Sequence, residues 1–291
     1  MTRSSITPTV WDRLLIRLEV WVMSLMQWFI QSHVPHHMME HGVCILGDDI
    51  AFGYGDRVIQ AGHGVAGHLP GRLDRAKALH QEWCVYNRGR VGSKTTDWFP
   101  SSSTTAAASS KPPSLLDEMC SDPRVQASEI IYLFLGNNDQ EDPNITAEDT
   151  VKAIQAVVRV LLELPWPVDT PQATHRAKRI IYVSTLPTAG DAMRWGPEGV
   201  QRNQERNTLL KTWLEGEQDK ATGQSDVRIK PGPYIDLGNY EYDRADLYTS
   251  PFRTHLSRDG YVKVAKDFIL LAEPDFVKCE FHVFTSSRGR T

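Results

Sequence analysis

Apolar and polar positions along the chain fall into two alternating kinds of segment. Short runs of consecutive apolar residues read as strands buried on both faces of a sheet: Val43-Cys44-Ile45-Leu46, Trp83-Cys84-Val85-Tyr86, Ile130 to Leu135, Arg179 to Ser184 and Tyr234 to Leu237. Between them lie segments with apolar residues at helical spacing: 69–82, 115–119, 146–163 with an acidic first turn at Glu148 and Asp149, and 200–216. A last helix starts near Asp259-Gly260-Tyr261 and runs through Val264, Phe268, Ile269 and Leu271. Strands alternating with helices predict an α/β fold whose parallel sheet is covered on both faces. The stretch Val277 to Phe284 alternates and is expected to add an edge strand or to pack on the amino-terminal helix, with disorder beyond Thr285. No internal repeat is found.

Residues 8–31 place Val10, Trp11, Leu14, Leu15, Leu18, Trp21, Val22, Leu25, Met26, Phe29 and Ile30 on one helical face. Charges inside the run argue against a membrane span. The plainest expectation is a helix packed on the main domain; weak membrane association or self-association through this helix is the alternative. His33, His36, His37 and His41 follow with Glu40 between them, at no spacing that suits a metal, and read as a linker. The chain thus divides into residues 1–41 (amphipathic helix and His-bearing linker), 42–275 (the domain) and 276–291 (a tail). The low-complexity stretch 99–113 is a surface insertion in the domain, and 61–68 is a glycine- and histidine-bearing loop.

Composition alters this picture little. At 291 residues, with 41% apolar and 23% charged residues, the chain is long enough for one large domain. A net charge of −4 without a basic stripe excludes nucleic acid as the expected partner. Four cysteines are too few for a disulfide scaffold, so free thiols and an intracellular, cytoplasmic location are expected. The sequon at Asn144 has no secretory signal to support it. Neither a cofactor nor a metal is expected.

Chemistry concentrates where strands end. Gly47-Asp48-Asp49 follows the first run, Asn87-Arg88-Gly89 the second, Gly136-Asn137-Asn138-Asp139 the third, and His255 stands five residues before Gly260-Tyr261. In this order the four blocks resemble those of the SGNH (GDSL-type) hydrolases, over roughly residues 42–272. The resemblance implies a three-layer α/β/α sandwich, flavodoxin-like, with a central parallel sheet of about five strands. It also implies an oxyanion hole formed by the backbone of residue 49, Gly89 and the Asn138 amide, with His255 as base acting on a small-molecule substrate.

This chain departs from the family pattern twice. Asp49 replaces the nucleophilic serine, and Phe252 stands where an aspartate usually orients the histidine, a task open to a backbone carbonyl, Asp246 or Asp259. Three readings follow. Asp49 is a nucleophile at saturated carbon or an acid–base partner of His255; or the fold has lost catalysis and keeps its pocket for binding; or hydrolysis persists with Ser93 or an activated water. Asp48 reads as a helix cap. Tyr86, Trp98 and Trp195 either line a pocket or belong to the core.

Overall fold

The computed structural model describes residues 18, 21, 22, 25, 41–56, 64–98, 113–167, 177–188, 196–220, 227–236, 238–249 and 255–288. Five strands form one sheet: β1 (His41–Gly47), β2 (Trp83–Gly89), β3 (Ile130–Phe134), β4 (Ile180–Val183) and β5 (Ile229–Pro231). Their order is β2-β1-β3-β4-β5 and every pairing is parallel. Side chains alternate across a strand, so each apolar run serves two cores. Val43, Ile45, Tyr132, Phe134 and Tyr182 face one side; Cys44, Leu46, Leu133, Ile181 and Val183 face the other.

The first face is covered by α1 (Asp49–Phe52), α2 (Gly64–His68), α3 (Pro70–Leu73) and the final helix, through residues such as Ile50, Val65, Leu73, Val264 and Phe268. Trp98 of α4 (Thr95–Trp98), with α5 (Leu115–Ser121), α6 (Pro123–Ala127), α7 (Ala147–Glu163) and α8 (Gly196–Lys220), covers the second. The result is the expected three-layer α/β/α sandwich. α7 begins where the sequence indicates, because Thr146 and Asp149 cap each other's backbone N–H groups.

Several expectations need correction. Residues 69–82 are not one helix: α3 ends at Leu73 and turns follow, because the N–H groups of His80 and Gln81 are drawn to the Glu280 carboxylate, at 2.9 and 3.1 Å. The fifth strand is Ile229–Pro231 rather than Tyr234 to Leu237. As a half-exposed edge strand it carries no apolar run, and an edge tolerates its proline. The tail is not a strand either, since α9 (Arg258–Arg288) continues through it. Phe276, Cys279 and Glu280 are buried on its inner side, so the domain extends past residue 275, whereas Phe281 is exposed. Within the 61–68 loop, residues 64–68 are helical; residues 61–63, 99–112, 289–291, His33, His36, His37, Trp195 and Phe252 lie outside the described residues. Of the amino-terminal helix, Leu18, Trp21, Val22 and Leu25 are described, and they are helical and exposed. Among the described residues no helix is long and apolar enough to cross a membrane.

His41 opens β1 instead of closing a linker. Its Nδ1 donates to Glu129 Oε2 at 2.7 Å and its Nε2 to Gln81 Oε1 at 2.5 Å, while the Gln81 amide nitrogen donates to the Glu280 carbonyl. Two acceptors on one imidazole require both nitrogens to be protonated. Burial disfavours this cation, but the Glu129 hydrogen bond and charge outweigh it, so the His41 pKa lies above 6.5. A group whose pKa rises on folding adds stability that is complete below its unfolded value and is lost as pH climbs through the folded one. Urea midpoints of the native chain should therefore fall as pH climbs above about 6.5, a decline that His41→Gln lacks.

Candidate active site

Strand order places the site. The chain leaves β1 for β2 on one side and returns to β3 on the other, so the carboxyl ends of β1 and β3 flank a crevice at the point where the winding reverses. β1 ends at Gly47, which pairs in register with Gly89 and Phe134. Asp48 then caps α1. Its Oδ1 accepts the Ile50 N–H at 3.1 Å, and its Oδ2 accepts the Asn137 N–H at 2.7 Å, tying the end of β1 to the loop after β3. Burial, with the neighbouring Asp49 charge, pushes the Asp48 pKa well above the carboxylate range against these two hydrogen bonds. Asp48 is architecture.

Asp49 has a separate set of partners, and its two oxygens have different surroundings. Oδ1 sits in a cradle of donors: the Gly92 N–H at 2.5 Å and the Asn138 Nδ2 at 3.1 Å. Oδ2 lies 3.2 Å from His255 Nε2. Asn138 is held in place by a second hydrogen bond, to the Ser93 carbonyl at 3.1 Å. All three side chains are buried. Burial alone would raise the Asp49 pKa, but the His255 hydrogen bond and charge, with Gly92 and Asn138, hold it below the usual value. These contacts favour the ionised carboxylate, whose Oδ2 faces His255 Nε2 at hydrogen-bonding distance.

His255 reaches this point from across the chain. Tyr248 bridges Leu256 in antiparallel fashion, the Thr249 N–H donates to the His255 carbonyl at 2.9 Å, and the Tyr54 ring stands edge-on at 4.7 Å.

The structure therefore brings together Asp49, Asn138 and His255 of the four expected residues. Gly89 is placed beside them with a different engagement. Its N–H donates to Asn87 Oδ1 at 2.9 Å, and a Cβ there would lie 2.0 Å from the Phe52 nitrogen, so glycine is needed for β2 to approach α1. The backbone donor that meets Asp49 is Gly92. The sequence places Gly92 at the end of the turn that follows β2, but the local pattern does not tell which N–H of a turn faces inward. The Ser93 hydroxyl donates to the Arg90 carbonyl and accepts from the Trp98 indole, so it is bound into the loop. The Asp246 carboxylate pairs with Arg244. Asp139 binds Thr95 and Thr150, and Tyr86 and Trp98 belong to the core.

The doubly wound parallel sheet between two helical layers is a fold that solved lipase and esterase structures share. A lipase/acylhydrolase from Enterococcus faecalis superimposes with a TM-score of 0.52 at 16% identity, covering 81% of this chain and 96% of its own. The family 3 carbohydrate esterase of Clostridium thermocellum gives 0.52 at 14%, with the same coverage. An aryl esterase of M. smegmatis gives 0.50 at 14%, over 80% of this chain and 97% of its own. No family model matches the sequence, and no curated protein matches it significantly.

Proposed function

We propose that this chain is a hydrolase in which Asp49 attacks a saturated carbon and His255 manages the protons. The observation that carries the reading is the division of the Asp49 carboxylate, with Oδ1 in the Gly92–Asn138 cradle and Oδ2 turned to His255. A low pKa suits a nucleophile, which must be ionised, better than a general acid or base. The substrate class is a small, weakly polar molecule with a leaving group on carbon, such as an epoxide or an alkyl halide.

In the first step Oδ2 forms a bond to carbon and the leaving group departs with the carbon–leaving-group electron pair. With an epoxide, the opened oxygen takes the proton from His255 Nε2. With an alkyl halide, the halide ion leaves and His255 releases that proton to solvent. In both cases the product is an alkyl ester of Asp49 beside a neutral imidazole. His255 then removes a proton from water, whose oxygen attacks Asp49 Cγ. Negative charge develops on Oδ1, where two donors already point, an arrangement that lowers such a barrier by about 3 kcal/mol per donor. Collapse expels the alkoxide, which takes a proton from the imidazolium, and the carboxylic acid returns its own proton to His255.

The test is a single turnover in ¹⁸O-water against a panel of epoxides and alkyl halides. Label should appear in the Asp49 side chain in a peptide digest, and His255→Gln should accumulate the ester as a mass increase on the same peptide. Label found only in the product would exclude an Asp49 ester. A second reading, an inert binding fold, draws support from the same cradle, because Oδ1 occupies the place a substrate oxyanion would need. It predicts neither label nor turnover.

A further inference from the structure

We propose that the exposed apolar face of α9 is the dock for this chain's own amino-terminal helix. Leu270, Leu271 and Val277 are 65%, 44% and 36% exposed on the outer side of a helix whose inner side is fully buried. Leu18, Trp21, Val22 and Leu25, also helical, are 57%, 61%, 41% and 50% exposed at i, i+3, i+4 and i+7. Such a stripe does not sustain a short helix in water by itself, because helices of this kind gain their stability from packing an apolar face.

The two faces match in length and in place. Leu18 to Leu25 and Leu270 to Val277 have the same sequence separation, two helical turns or about 10 Å. The chain enters the domain at His41, which stacks on Trp83 at 4.6 Å; Trp83 in turn packs on Phe276 at 4.6 Å and donates to Glu280. The connection from the amino-terminal helix therefore arrives beside the carboxyl half of α9. Fifteen residues separate Leu25 from His41, and a chain of that length reaches at most about 50 Å, enough to lay the helix anywhere along that face. A tether this short presents it at an effective concentration of about a millimolar, which favours the intramolecular partner over a second copy.

Trypsin cleavage after Arg13 and Arg17 in the full-length chain tests the dock. The native protein should be cut at least ten times more slowly there than Leu270→Glu/Val277→Glu, with both sedimenting as monomers and circular dichroism unchanged. Equal cleavage rates would overturn the proposal. So would a native dimer that the double substitution dissociates, or protection that appears only with anionic phospholipid vesicles. Should the double variant fail to fold, Leu25→Cys combined in turn with Leu270→Cys or Val277→Cys decides the matter: an intramolecular disulfide with either supports the dock, and none with both refutes it.

Discussion

Asp49→Asn is expected to lower turnover by at least about a thousandfold while leaving the fold intact, the scale typical of removing a nucleophile that works as part of a unit. An amide keeps an oxygen for the Gly92 N–H and the Asn138 amide, so the cradle remains filled. It cannot form the ester, because neutral amide oxygen is a poor nucleophile and the negative charge beside His255 is gone. Single-turnover kinetics would measure this, and an asparagine variant within tenfold of the native rate would refute a nucleophilic role. Asp49→Ser makes the converse test. It vacates the cradle and sets a hydroxyl toward His255, so hydrolysis of p-nitrophenyl acetate should rise well above that of the native chain. The charge also enters stability. The folded pKa of Asp49 lies below the ordinary 3.8, so its contribution is present above about that pH and is lost as pH falls through the folded value. The asparagine variant should lack that part of the acid transition.

Gly47→Ala should yield no stably folded protein. Gly47 has φ of +139°, where a side chain is strained, and a Cβ on it would come within 1.6 Å of the Phe134 carbonyl oxygen. Neither atom has room to move. The Phe134 carbonyl accepts the Asp48 N–H at 2.9 Å, and Phe134 lies opposite Gly47 in the β1–β3 register. Backbone pressed on backbone inside a sheet belongs among the rare substitutions that cost more than about 4 kcal/mol, a large share of a domain's stability. Gly71→Ala is the control. It lies in α3 with nothing within 4 Å of the added methyl, and should fold normally. Urea denaturation of the soluble fraction distinguishes the two; a Gly47→Ala protein with native stability would mean that the end of β1 can shift without cost.

The same residues show how far reading a chain can go. Apolar runs such as Ile130 to Leu135 announce buried strands, and helix α7 declares both its face and its cap, because these signals are local and periodic. β5 is not legible in the sequence for the opposite reason. Its three residues are held by register with Ile181 to Val183, and an edge strand of mixed polarity has no pattern of its own. The tail reads as a strand because Cys279, Phe281 and Val283 alternate; the contacts of Phe276 with Trp83 and of Glu280 with His80, Gln81 and Trp83 are long-range events that make the helix the better solution.

For the site, sequence alone determined the fold class, the strand end at Gly47-Asp48-Asp49, and Asn138 and His255 as Asp49's partners. It also separated Asp48, a cap, from Asp49. What only the tertiary structure decided is how the carboxylate is divided: Gly92 rather than Gly89 supplies the backbone donor, and one Asp49 oxygen enters the cradle while the other meets His255. The physical reason is that hydrogen-bond direction at a turn depends on the packing of β2 against α1 and on a histidine more than two hundred residues away, and neither leaves a mark on the residues beside Asp49.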